Sequence, residues 1–146
     1  MKKIITILVL IITISASAIA GDEINNPRVT NSFQEEFNEA QEVKWVLKEN
    51  IYMVTFSYEN KFFTAYYNKK GSRLGLSRNM LVTELPELLQ KEVKQDYKKF
   101  WISGLLELSD YTGTNYFLVL ENSKMKFILV SNGETSWEFL KTILPN

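Results

Sequence analysis

Two stretches of this chain carry one apolar pattern, and that pattern restricts the fold more than any single residue does. Val29, Phe33 and Phe37 recur four apart, as do Leu85, Leu89, Val93 and Tyr97. Spacing of four places side chains on one helix face. Val29, Phe33 and Phe37 match Leu89, Val93 and Tyr97 at an offset of 60. Pro27 suits a first helical turn with Asn26 as N-cap. Thr83 is the expected N-cap of the second helix, with Pro86 tolerated in its first turn.

Each helix is followed by alternating, β-rich segments. Val43, Trp45 and Leu47 alternate with Lys44, Val46 and Lys48, and the runs Ile51 to Ser57 and Lys61 to Tyr67 follow turns at Glu49-Asn50 and Glu59-Asn60. Asn68-Lys69-Lys70-Gly71 closes the unit. In the second half a strand from Trp101 to Ser109 precedes a hairpin, Tyr116 to Glu121 and Lys124 to Val130, around Asn122-Ser123. Tyr52, Val54 and Phe56 match Tyr116, Leu118 and Leu120 at an offset of 64. The four extra residues are expected in the connection from Asp110 to Asn115. The reading is an α+β fold: two tandem αβββ repeats forming one antiparallel, six-stranded sheet with both helices on one face. Repeat one spans 26–71, a linker 72–82, repeat two 83–133 and a tail 134–146. The tail is expected to add a strand or a short helix around Trp137 to Leu140.

Residues 1–20 stand outside this domain, which is assigned to 21–146. Lys2 and Lys3 precede the apolar run Ile4 to Ile12, and small residues follow at Ala16, Ser17, Ala18 and Ala20. That order is a secretory signal peptide, with cleavage expected before Gly21. The apolar run is short for a spanning helix, so no stable membrane insertion is expected after cleavage. The exported product is expected in the periplasm or outside the cell.

The composition bears on chemistry. The chain has no histidine and no cysteine. Imidazole catalysis, cysteine nucleophiles, N/S-type zinc or copper sites and disulfides are therefore excluded. No catalytic residue, metal or cofactor is assigned. Glu35, Glu36 and Glu39 read as a solvated helix face. Asp110 with Glu107 or Glu121 lacks a calcium-loop pattern. Lys91, Lys94, Lys98 and Lys99 are interspersed with acids, giving a mixed-charge surface. Basic and acidic residues balance at 17 each, so nothing recruits nucleic acid.

The turns also fix a register. Two-residue loops at 49–50 and 59–60 set Trp45 and Ala65 opposite Val54, and Val43 and Phe63 opposite Phe56. The helix-facing side then carries Val43, Trp45, Leu47, Tyr52, Val54, Phe56, Phe63, Ala65 and Tyr67. Its counterpart carries Tyr116, Leu118, Leu120, Met125, Phe127 and Leu129. The opposite side is only partly polar. It holds Val46, Ile51, Met53, Thr55, Phe62, Thr64 and Tyr66, and then Phe117, Val119, Ile128 and Val130 among charged residues. Met53, Phe62, Tyr66, Phe117 and Ile128 are the expected partner-binding anchors, exposed as an apolar patch. The alternative covering of that face is the 134–146 tail with Trp137, Phe139 and Leu140.

The run Pro27-x-Val29-x-x-x-Phe33-x-x-x-Phe37-x-x-Ala40-x-x-Val43-x-Trp45, then Tyr52-x-Val54-x-Phe56, the Asn68–Gly71 turn and the Glu84-Leu85-Pro86 restart resembles a family. It is the exported PepSY-like, β-lactamase-inhibitor-like proteins, matched over about residues 27–135. The resemblance implies two αβββ repeats with both helices on one side of a sheet. The namesake inhibitors grip an enzyme with the concave sheet face and a hairpin. This chain has no disulfides and no inhibitory loop motif, and Glu59 reads as a solvated turn residue, so enzyme inhibition is not carried over. The functional expectation is a non-enzymatic exported module holding a protein or peptide partner on the aromatic face. Its rival is a periplasmic carrier of a small apolar ligand between sheet and tail. A homodimer through that face is a third expectation.

Overall fold

The computed structural model describes residues 24–143. The expected signal segment and cleavage point lie outside the described residues, as does the end of the tail. The order is α1 (Pro27–Glu36), β1 (Gln41–Lys48), β2 (Ile51–Tyr58), β3 (Lys61–Tyr67), β4 (Arg73–Asn79), a 3-10 turn (Val82–Glu84), α2 (Glu87–Asp96), β5 (Trp101–Asp110), β6 (Gly113–Glu121), β7 (Lys126–Asn132) and β8 (Ser136–Ile143). The fold is α+β, and its eight antiparallel strands neighbour one another in chain order. The chain divides into two compact units at Leu76/Ser77.

Two of the eight strands come from segments expected as linker and tail. The linker 72–82 holds β4. Its sequence, Arg73-Leu-Gly-Leu-Ser-Arg-Asn, has few β-branched residues and a central glycine, so its own propensity for strand is low. Its neighbours make it a strand, and Gly75 and Ser77 are buried in it. The tail forms β8, which pairs with β7 from Asn132↔Ser136 to Lys126↔Ile143. It is a strand of the sheet, not a flap across a face.

In the first unit Asn26 caps α1 as expected, its Oδ1 accepting from the Val29 amide at 3.4 Å. Its Nδ2 donates to the Lys69 carbonyl at 3.1 Å, tying the helix start to the turn after β3. Asn68 Oδ1 accepts from the Lys70 and Ser72 amides in that turn. Gly71 sits there at φ +85°, against the Arg28 carbonyl. Glu49, Asn50, Glu59 and Asn60 all have positive φ, the signature of two-residue type I′ hairpins. The expected register follows: Trp45↔Val54, Val54↔Ala65 and Phe56↔Phe63 are partners. One expected pair fails. The register slips between Gln41 and Lys44, so Glu42 (φ 52°) and Val43 form a bulge opposite Phe56. Val43 is left partly exposed. The core is aromatic: Phe33 lies 5.3 Å from Trp45 and 5.0 Å from Phe56, edge-on to both. Val29, Val54, Ala65 and Tyr67 complete it.

In the second unit the helix starts at Glu87, not near Thr83. Pro86 occupies the N-cap position with no side-chain cap. The ring of Pro86 keeps Leu85 extended (ψ 153°), which delays the helix. Gln90 Nε2 donates to the Leu85 and Thr83 carbonyls at 2.8 and 3.3 Å, tying the first turn to the segment before it. Leu89 and Val93 pack on Leu105, Leu118, Leu120, Leu129 and Trp137, a more aliphatic core than the first. The extra residues expected in the Asp110–Asn115 connection lengthen the strands instead. The β5–β6 turn lies five pairs beyond Leu105↔Leu118, whereas the β1–β2 turn lies three beyond Trp45↔Val54. The β6–β7 loop is four residues, 122–125, since Glu121 pairs with Lys126. No helix among the described residues is long and apolar enough to cross a membrane.

Candidate functional site

The five expected anchors separate by exposure. In the first unit Met53 and Tyr66 are direct partners across β2 and β3, and they are 3% and 1% exposed. Phe62, opposite Ser57 at the hairpin end, is 64% exposed. In the second unit Phe117 and Ile128 lie on adjacent strands and are 2% and 0% exposed. The expected exposure thus holds for Phe62 and not for the other four. Their side chains are interior, and a partner meeting the folded surface does not reach them.

Other aromatic side chains of the second unit are exposed, Tyr111 by 90%, Phe139 by 65% and Trp101, which lines a cleft. Phe100 and Trp101 are consecutive, and consecutive side chains leave a strand on opposite sides. The Phe100 ring enters the core, 5.0 Å from Phe127 and edge-on to it. Trp101 is therefore turned away and is 53% exposed. It opposes Glu121 at the end of the β5–β6 ladder. The adjoining loop is held by Asn122. Its Oδ1 accepts from the Lys124 and Met125 amides at 2.9 and 3.0 Å, and its amide donates to the Met125 carbonyl at 2.9 Å. This closed loop presents Met125, about half exposed. Trp101, Glu121, Lys124, Met125, Lys126 and Ile143 line a cleft of about 370 Å³ with Asn122 and Ser123.

Charge within the cleft is only partly balanced. Lys126 Nζ lies 3.2 Å from Glu121 Oε2. The hydrogen bond from Lys126, aided by one from Ser103, holds the Glu121 carboxyl below the usual range. Lys124 enters no ion pair among the described residues, so the cleft carries net positive charge. An indole face, a thioether and an unpaired ammonium suit recognition of an apolar group beside an anionic one.

The first unit has a cleft of other character, about 410 Å³, lined by Glu39, Gln41, Ser57, Tyr58, Glu59 and Asn60. Glu59 is exposed in its type I′ turn. Among the described residues no group of three or more carboxylates gathers as a metal site. Among the described residues the most perturbed side chain, Tyr67, belongs to packing. Its hydroxyl donates to Glu36 Oε2 at 3.4 Å, and Glu36 Oε1 pairs with Arg73 Nε at 3.0 Å. Burial, and then the Glu36 charge, holds the phenol well above its ordinary value.

Sequence reasoning missed Trp101 and Met125. The Phe100-Trp101 pair held the signal, because one of two adjacent aromatics must leave the core side. A two-residue loop at Asn122-Ser123 sets Met125 among the helix-facing residues, whereas the four-residue loop 122–125 leaves it outside the ladder. The expected sheet-and-tail enclosure for a small ligand is not formed by β8, which lies in the sheet.

No family model and no curated protein matches the sequence. Solved structures do share its fold. A BLIP-like protein of Bacteroides fragilis superposes with a TM-score of 0.74 at 12% identity, covering 89% of this chain and 94% of its own. A DUF2874 family protein of Bacteroides ovatus gives 0.72 at 15% identity, over 84% and 89%. A candidate periplasmic protein of Bacteroides eggerthii gives 0.74 at 8%, over 84% and 91%. These proteins share the α+β fold of this chain, whose sheet has eight strands where the Pro27-to-Trp45 pattern implied six.

Proposed function

We propose that the chain is an exported, non-catalytic binding module that seats a protein or peptide partner in the Trp101–Met125 cleft. The half-exposed Trp101 carries this reading. Leaving an indole in water forgoes burial worth roughly 1.5–3 kcal/mol for a large apolar side chain. Tryptophan and methionine are favoured at interface cores, and tryptophan leads among residues whose truncation abolishes binding. Lys124 favours a partner segment that places a carboxylate beside its apolar anchor. In the first unit, Phe62 is the expected anchor a partner can reach. The secretory-type segment at residues 1–20 supports export, and the fold shared with a BLIP-like protein supports a binding role.

The test is capture from the exported fraction by the wild-type chain, with Trp101→Ala and Met125→Ala as comparisons. Loss of the captured protein with Trp101→Ala, at unchanged circular dichroism, supports the reading. Capture undiminished by either substitution overturns it.

A further inference from the structure

The first strand ends the described sheet, with a neighbour on one side only. The two-residue turn at Glu49-Asn50 makes Lys48↔Ile51 a hydrogen-bonded pair, and such pairs alternate along the ladder. Lys44, Val46 and Lys48 therefore direct their backbone groups toward β2. Val43, Trp45 and Leu47 direct theirs to the open edge. Val43, Val46 and Leu47 are also exposed, Leu47 by 54%. An edge with apolar side chains and open backbone groups is a template for another strand.

We infer that this edge pairs with β1 of a second copy, antiparallel, about a twofold axis at Trp45. The sequence is complementary to itself in that register. Trp45 faces Trp45 of the other copy, Val43 faces Leu47 and Lys44 faces Val46. The open backbone groups of Val43, Trp45 and Leu47 then meet one another. Val43 and Leu47 cover each other, and the aliphatic stem of Lys44 lies on Val46. Shifting by two residues puts Lys44 against Lys44 one way and against Lys48 the other, and like charges directly opposite destabilise. Larger shifts pair only the strand ends. The Glu42–Val43 bulge and the Glu49-Asn50 turn bound the ladder, so pairing stops at two copies. An isologous contact of this kind closes on itself. It uses the edge of β1, not the sheet face expected from the sequence.

The absence of cysteine makes a clean test possible. Residues 44 and 46 would be direct partners in a non-hydrogen-bonded pair, with Cα atoms about 4.5 Å apart, within disulfide reach. Chains carrying Lys44→Cys and Val46→Cys, purified from the exported fraction, are oxidised alone and mixed. The mixed disulfide should dominate, and the wild-type chain should sediment as a concentration-dependent dimer. Leu47→Lys should abolish the dimer at unchanged circular dichroism. A monomeric wild type, a Lys44→Cys chain that links to itself as readily as to Val46→Cys, or linkage from position 44 to a different exported protein overturns the inference.

Discussion

The indole Nε1 of Trp137 donates to the Leu89 carbonyl at 3.1 Å. The Trp137 amide donates to the Glu92 carboxylate, also at 3.1 Å. The last strand is thus fastened to α2 by one residue that is itself 6% exposed. Trp137→Phe keeps most of the packing and removes the indole bond. It should cost about 2 kcal/mol, read as a lower urea midpoint at unchanged slope. A midpoint within error of wild type would refute the fastening role.

Phe62 and Phe117 were expected together on one surface, and the structure separates them. Phe62→Ser, at 64% exposed, should change stability by no more than about 0.5 kcal/mol. Phe117→Ser, at 2% exposed, should cost about 4 kcal/mol through cavity and buried hydroxyl. Thermal melts of the two variants check this, and equal losses would contradict it.

Tyr67 gives the stability a dependence on alkaline pH. Burial and Glu36 raise its folded pKa, whereas an unfolded tyrosine ionises near 10. The folded state therefore holds the proton more tightly. Its contribution is full below pH about 10 and is lost as pH rises from there toward the folded value. Denaturant midpoints measured across that range should fall more steeply for wild type than for Tyr67→Phe. Parallel profiles would show that Tyr67 ionises normally.

Gly71 and Gly133 separate two costs of a side chain. A Cβ at Gly71 would meet the Arg28 carbonyl oxygen at 2.6 Å, at φ +85°. A Cβ at Gly133 meets nothing within 4 Å, at φ +61°. Gly133→Ala should cost about 1 kcal/mol of backbone strain. Gly71→Ala should cost about 2 kcal/mol or more, because strain and clash add. The difference in chemical-denaturation free energy checks the clash.

Much of the first unit was legible because its turns have no slack. With two residues at 49–50 and two at 59–60, the pairs Trp45↔Val54 and Phe56↔Phe63 have no alternative. What stayed hidden depends on neighbours. Strand β4 is Leu-Gly-Leu-Ser at its centre, and only adjoining strands make that extended. The bulge at Glu42–Val43 leaves no local mark, since neither residue is one that usually takes positive φ. The candidate site was illegible for a further reason. An apolar residue on the second sheet face reads alike whether it is covered or open, so Met53 and Phe62 looked equivalent.

The longer β5–β6 hairpin has a consequence for how such an element can vary. Twelve residues separate Leu105 from Leu118, and eight separate Trp45 from Val54. A two-residue connection closes on a hydrogen-bonded pair, and every second pair is of that kind. One added residue per strand would bring the turn to a pair of the wrong kind. Two per strand restores it. Hairpin length here is quantised in steps of four residues, so a graft or loop redesign at Tyr111 should insert or delete four at a time.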